Sequence, residues 1–195
     1  LPQLKVWGIS ATIGNLDLAQ EILLGADAEQ AVRVVSLRKK TIKVKSLVPK
    51  KMERFPWRGH LGLHLLNEVV KVVERSRSTL VFTNTRAQCE IWFQRLLEAH
   101  PDWAGQMAMH HGSMNKETRL WVEEALQNDR LKLVVCTSSL DLGVDFSPVE
   151  SCIQIGSPKG VGRFLQRAGR SGHQPGKASL IYFLPTHAME LIEAL

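Results

Sequence analysis

The stretch Thr79-Leu80-Val81-Phe82-Thr83-Asn84-Thr85-Arg86 decides the fold class. Its first half is β-branched and apolar, its second half is small and polar, and Arg86 opens a helical run that reaches Ala99 before Pro101 stops it. That order spells strand, turn, helix. The rhythm continues downstream. Gln106–His110 reads as a short strand, Asn115 caps a helix over Lys116–Gln127, and Leu131–Cys136 is a strongly apolar strand. Cys152–Ile155 is another strand, a helix follows over Gly162–Arg170, and Ser179–Leu184 is a last strand before a short helix from His187. Upstream, a helix fits Leu61–Arg75, with Leu61, Leu65, Leu66, Val69, Val72 and Val73 on one stripe. Thr41–Val48, Val32–Ser36 and Leu4–Ile9 read as strands, Asn15 caps a helix over Leu16–Leu24 closed by Gly25, and Pro49–His60 is an irregular connection. Strands alternating with helices of 10–15 residues imply an α/β fold, a parallel sheet with helices on both faces.

Composition narrows the class. The chain has 195 residues, 44% of them hydrophobic, which suffices for a core. No apolar run reaches the roughly 18 residues of a membrane span. Leu1-Pro2-Gln3-Leu4-Lys5 has no charged leader before an apolar block, so no secretory signal is read there. The missing initiator Met suggests a piece of a longer chain, and the expected compartment is the cytoplasm. Cys89, Cys136 and Cys152 lie far apart and form no C-x-x-C pair or zinc set, so they are expected to be reduced thiols and no metal is expected. The net charge is +6, and it is concentrated: between Arg33 and Arg58 stand ten basic residues and one acid, 10 − 1 = +9, leaving 6 − 9 = −3 for the rest. Such a run is either a solvated face or a seat for a polyanion. Phe55 and Trp57 near its end could stack on a base or simply pack.

Ligands of parallel sheets gather at the carboxyl ends of the strands. The polar residues sit there: Thr83-Asn84-Thr85-Arg86, His110-His111-Gly112-Ser113, Cys136-Thr137-Ser138-Ser139, and Gly156-Ser157-Pro158-Lys159-Gly160. Small hydroxyl and Gly residues let backbone N–H groups approach phosphate oxygens, so one rim would form a groove for a phosphate backbone. Adjacent His110 and His111 point to opposite faces of a strand, which argues against joint metal ligation. Asp141 and Asp145 could be paired carboxylates, although Asp145 has a better role below. Ile91, Trp92, Leu96 and Leu97 read as core, as does Trp121 beside Val122.

Gln166-Arg167-Ala168-Gly169-Arg170-Ser171-Gly172-His173 carries the most specific chemistry. Arg167 and Arg170, three apart on a last helical turn, would point to one side. They could reach a phosphoryl group whose charge rises during transfer, or they could be tied to carboxylates on a neighbouring element.

This segment resembles motif VI (Q-R-x-G-R-x-G) of the superfamily 2 helicases. Ser10-Ala11-Thr12 matches their motif III, Leu80–Arg86 is similar to motif IV, and Thr137–Asp145 resembles motif V with its T-x-x-x-x-x-G-V-D spacing. The wording Q-R-A-G-R-S-G-H, with S-S-L-D-L-G-V-D and I-G-S-P-K-G before it, resembles the large helicase-related (Lhr) family, in its bacterial DNA-ligase-associated DEXH-box branch. The resemblance covers essentially the whole chain.

It implies a RecA-like parallel sheet, the helicase C-terminal lobe, over residues 31–195, preceded over 1–30 by the tail of a first RecA-like lobe. Arg170 would be the arginine finger on ATP, Arg167 would buttress the site or touch phosphate, and Gln166 would sense the nucleotide. Gly143 and Asp145 would meet the ribose. Thr83, Asn84, Arg86, Gly112 and Thr137 would grip the tracking strand, and Ser10 and Thr12 would couple hydrolysis to lobe movement. His173 stands where many superfamily 2 helicases have Arg. The expected activity is that of an ATP-dependent helicase using ATP with Mg²⁺ and moving 3′-to-5′ on single-stranded DNA, in DNA repair. Expected partners are single-stranded DNA or a DNA–RNA hybrid, the first lobe, and repair or ligase proteins, with no membrane. No G-x-x-x-x-G-K-[ST] loop and no D-E-x-H box occur, so this chain alone is expected not to hydrolyse ATP. The alternative is a non-enzymatic nucleic-acid-binding α/β module.

Overall fold

A computed structural model describes residues 5–10, 13–35, 41–49, 61–141, 149–172, 178–187 and 189–190. The chain divides into two compact units, Leu1–Lys39 and Lys40–Leu195. The first contains α1 (Leu16–Leu24), whose cap Asn15 accepts the Leu18 N–H at 3.0 Å, and a following 3₁₀ turn over Gly25–Gln30. The strands expected at Leu4–Ile9 and Val32–Ser36 do not form among its described residues. A strand needs a ladder partner for its N–H and C=O groups, and every described ladder lies in the second unit.

Among its described residues that unit has six strands: β1 (Ile42–Ser46), β2 (Thr79–Phe82), β3 (Met107–His110), β4 (Leu133–Cys136), β5 (Ser151–Ile155) and β6 (Ser179–Leu184). They form one sheet in the order β1-β6-β5-β2-β4-β3, and every pair is parallel. The connecting helices are α2 (Leu66–Arg75), α3 (Arg86–Ala99), α4 (Lys116–Gln127) and α5 (Val161–Ala168). Alternation along the strands divides the core in two. Val81, Val135 and Ile153 pack with Val69, Val73, Trp92 and Leu96 of α2 and α3. Leu80, Phe82, Val134 and Cys152 pack with Val122, Ala125, Leu126 and Ala168 of α4 and α5. Trp92 is fully buried, and its indole N–H donates to the Leu61 carbonyl at 2.8 Å. Truncating such an aromatic typically costs about 3–5 kcal/mol.

Two element boundaries and one burial assignment differ from expectation for local reasons. Gly62 takes φ +73°, so the helix expected from Leu61 starts at Leu66 behind a 3₁₀ turn over Leu63–Leu65. Helix α5 ends at Ala168, which leaves Arg170 just past its end. Trp121 is half exposed rather than core. Val122, Ala125 and Leu126 take the sheet-facing stripe of α4, and one residue earlier lies about 100° around the helix. Strand β1 is a sheet edge and carries exposed Lys43 and Lys45, which discourage further strand pairing. No helix among the described residues is long and apolar enough to cross a membrane.

Candidate functional site

Strand β2 lies at the point where the chain's path divides. From it the sheet extends to β4 and β3 on one side, and to β5, β6 and β1 on the other. Such a point is where parallel sheets bind ligands, outside the carboxyl ends of the strands. The register aligns those ends: Phe82 pairs with Cys136 and Gln154, and His110 pairs with Cys136. Thr83, Thr137 and His111, the next residues along these strands, therefore lie at one end of the sheet.

Each rim residue has a distinct setting. Thr83 lies beneath the rim rather than on it: it is fully buried, and its hydroxyl donates to the Cys136 carbonyl at 3.1 Å. It ties the end of β2 to the end of β4. Asn84 is half-buried, with its side-chain amide donating to the Ser157 carbonyl at 2.8 Å. Arg86 is exposed and pairs with Glu90 at 2.7 Å, and this guanidinium is the main reason the Glu90 carboxyl titrates below its usual range. Gly112 is exposed, and a Cβ built there would meet nothing within 4 Å. Thr137 is half-buried, its N–H donating to the His110 carbonyl at 3.1 Å. Ser10 is exposed in the first unit. Thr12, Gly143, Asp145 and His173 lie outside the described residues, as do Phe55 and Trp57.

Arg167 and Arg170 converge on one residue, Asp141. Arg167 is 1% exposed; its Nε and Nη2 donate to Asp141 Oδ1 and Oδ2 at 2.7 and 3.2 Å. Its third nitrogen donates to Gln154 Oε1, and its charge sits 4.8 Å from the Phe82 ring centroid. Among the described residues the side chain is thus enclosed by Asp141, Gln154 and Phe82. Arg170 is half-buried, and its Nη2 donates to the Asp141 carbonyl at 2.8 Å. That contact orients the guanidinium. Gln166, on the same helix, is half-buried.

In sequence Asp141 reads only as half of a carboxylate pair, and the structure sets it against three arginines instead, Arg167, Arg170 and, with its Nε 3.5 Å from Oδ2, Arg163. The readable signal was a carboxylate in an apolar stretch, facing a motif with two arginines. Gln154 was missed, since a glutamine within an apolar strand announces nothing of its partner. Its amide donates to the Gly156 carbonyl at 2.9 Å, linking Arg167 to the loop that Asn84 holds. Glu190, also missed, is buried and accepts the Ser157 N–H at 2.7 Å, fastening that loop to the segment after β6. His110 and His111 turn to different helices, His110 toward Glu123 of α4 and His111 toward Glu90 of α3.

Residues 63–174 match the model of the helicase conserved C-terminal domain. The chain belongs to that family. Its relatives include ATP-dependent helicases of the Lhr type. It is 35% identical over 192 residues to the ATP-dependent helicase Lhr-Core protein 2 of Thermococcus barophilus, a match covering 95% of this chain and 22% of that relative. The Mycobacterium smegmatis helicase Lhr, solved bound to single-stranded DNA and AMP-PNP, superposes with a TM-score of 0.78 at 34% identity, over 94% of this chain and 24% of that one. The helicase MrfA, solved with DNA and AMPPNP, shares the fold at a TM-score of 0.72 and 22% identity, over 92% of this chain and 25% of that one. This helicase lobe thus spans about a fifth to a quarter of the length of these relatives.

Proposed function

We propose that this lobe is the second motor lobe of an ATP-dependent helicase that translocates on single-stranded DNA. It supplies Arg170 to ATP held by a first lobe and half of the groove that grips the strand. The observation that carries this reading is the position of Asp141. It comes directly after the turn that presents Thr137, and it holds Arg167 by its carboxylate and Arg170 by its carbonyl. The strand-facing rim and the arginine pair are thereby one covalent segment apart.

In this reading residues 31–195 form the second lobe and residues 1–30 the tail of the first, with Ser10 and Thr12 coupling the two. Gly143 and Asp145 meet the ribose, and Gln166 reads the nucleotide state. Asn84, Arg86, Gly112 and Thr137 contact successive phosphates, with Thr83 bracing them from below. Mg²⁺ accompanies ATP, on carboxylates outside this chain. Travel is 3′-to-5′, the setting is cytoplasmic DNA repair, and the affiliation is the ligase-associated DEXH-box branch. The relative solved with single-stranded DNA and AMP-PNP supports the ligand classes.

Binding of a labelled single strand to the full-length protein across a salt series tests the groove. Affinity falls steeply with salt, because phosphate contacts release counterions, and Arg86→Ala lowers both the affinity and the salt slope. An affinity indifferent to salt, or an Arg86→Ala protein that binds like the parent, defeats the assignment.

A further inference from the structure

Glu123, His110 and Ser139 form a hydrogen-bonded line from α4, through the end of β3, to the turn after β4. His110 Nε2 lies 3.1 Å from Glu123 Oε1, and His110 Nδ1 lies 2.7 Å from Ser139 Oγ. The imidazole is buried, while the Glu123 side chain is partly exposed. The turn also hangs on His110 through the backbone. The Thr137 N–H donates to the His110 carbonyl at 3.1 Å, and the Ser139 hydroxyl lies 2.9 Å from that same oxygen. The Thr137 hydroxyl is 3.5 Å from Ser139 Oγ.

Proton counting orders these contacts. A neutral imidazole has one N–H and one lone pair. Burial lowers the pKa of His110, Arg119 and His111 push the same way, and Glu123 opposes them. The Glu123 carboxylate can only accept, so the proton stays on Nε2, which donates to Glu123, and Nδ1 is left as an acceptor for the Ser139 hydroxyl. Glu123 thus sets the tautomer, the ring sets the direction of the Ser139 hydroxyl, and Ser139 Oγ is the neighbour against which Thr137 Oγ1 rests. Without Glu123 the tautomer can reverse, and the Ser139 hydroxyl must then turn to the His110 carbonyl.

We propose that Glu123 and His110 are positioning residues for strand binding, fixing the turn of Thr137–Ser139 so that Thr137 meets a backbone phosphate. This rests on the reading of Thr137 as a strand contact. The three side chains have the composition of a Ser-His-acid triad. Ser139 Oγ, however, is shared among the His110 ring, the His110 carbonyl and the Thr137 hydroxyl, which is the setting of a brace and not of a nucleophile.

The test is the affinity of the full-length protein for a labelled single-stranded oligonucleotide, without nucleotide, at fixed pH and salt. Glu123→Ala and Ser139→Ala each weaken binding about three- to tenfold, the range for one net hydrogen bond. The double variant loses no more than the larger single loss, because both changes break one line. Glu123→Gln, whose amide oxygen still accepts the Nε2 proton, binds within about twofold of the parent, a fraction of one hydrogen bond. A merely structural role would lower the melting temperature in step with affinity, and Glu123→Gln would not restore the affinity. Weakened binding in Thr137→Ala beside parental binding in Glu123→Ala overturns the inference alone, as do additive losses in the double variant. Parental binding in Thr137→Ala removes the strand-contact reading and this inference with it. Labelling of Ser139 by a fluorophosphonate would make it a nucleophile and overturn the brace.

Discussion

The carboxylate of Asp141 holds Arg167 by two contacts, Oδ1 to Nε at 2.7 Å and Oδ2 to Nη2 at 3.2 Å. Both side chains are buried. Such a pair shows its energetic weight when one member is lost. Asp141→Ala leaves a guanidinium enclosed beside Phe82 with Gln154 as its one remaining polar partner among the described residues, and breaking a buried pair this way costs about 3–5 kcal/mol. Asp141→Asn keeps one acceptor oxygen and costs less. Denaturant unfolding of the two variants checks the order; equal midpoints for Asp141→Ala and the parent would show the pair to be energetically idle.

The turn after Arg170 makes a sharper stability prediction. Gly172 has φ +65°, and a Cβ built on it would lie 2.6 Å from the Ala178 carbonyl oxygen. A side chain there meets backbone, which cannot swing aside. Strain at a left-handed position alone costs on the order of 1–3 kcal/mol, and the clash adds to it. Gly172→Ala therefore melts well below the parent. Neighbouring Ser171 is buried with its Oγ bridging the Leu180 N–H and the Ala168 carbonyl, so the same variant also loosens the seat of β6. A melting curve superimposable on the parent's would refute both arguments.

These two sites mark the limit of what the chain's sequence makes legible. The alternation of β2, α3, β3, α4 and β4 can be read because each element has its own period and its own stop, such as Pro101 after α3 and Asn115 before α4. The arginine pair is legible as a pair, but its partner is not. Arg167 meets Asp141 from 26 residues away, and nothing local in either segment states that distance. Trp121 is misplaced by sequence because a helix stripe can shift by one residue without altering the composition of its window. The role of Glu123 is hidden for a similar reason: it is the charge of α4 that hydrogen-bonds the buried His110 imidazole, and the packing of α4 against β3 selects it.

Protonation of His110 gives stability a pH dependence of known sign. Burial lowers its pKa below the ordinary 6.5, with Arg119 and His111 pushing the same way and Glu123 opposing. Above pH 6.5 both folded and unfolded chains hold a neutral ring, so the group adds no slope there. As pH falls through 6.5 the unfolded chain takes up a proton that the folded chain refuses, and stability drops until the lower folded value is reached. His110→Gln removes this component. Unfolding midpoints of parent and variant between about pH 7.5 and 5, a window around the ordinary histidine value, should show the steeper acid loss in the parent. Parallel lines would mean that the imidazole is not held neutral.

Arg170→Ala in the full-length protein separates a catalytic arginine from a structural one. Arg170 stands just past α5, half-buried, with its Nη2 on the Asp141 carbonyl at 2.8 Å. The carbonyl contact fixes the plane of the guanidinium. Charge that develops on a phosphoryl group during transfer is what such a cation meets, so its loss lowers turnover far more than ground-state ATP affinity. Arginine fingers contribute on the order of 10³–10⁵ in rate. Strand affinity without nucleotide stays at the parental level, because the proposed strand contacts Asn84, Arg86 and Thr137 belong to other elements. Lysine rescues poorly: its single ammonium cannot both rest on the carbonyl and present a planar fork. A purely structural arginine gives a different pattern, with melting temperature, strand binding and turnover falling together. Steady-state ATPase, strand binding and a melting curve on the one variant distinguish the two, and more than about a tenth of parental turnover, far above the range for a finger, would strike Arg170 from the reacting groups.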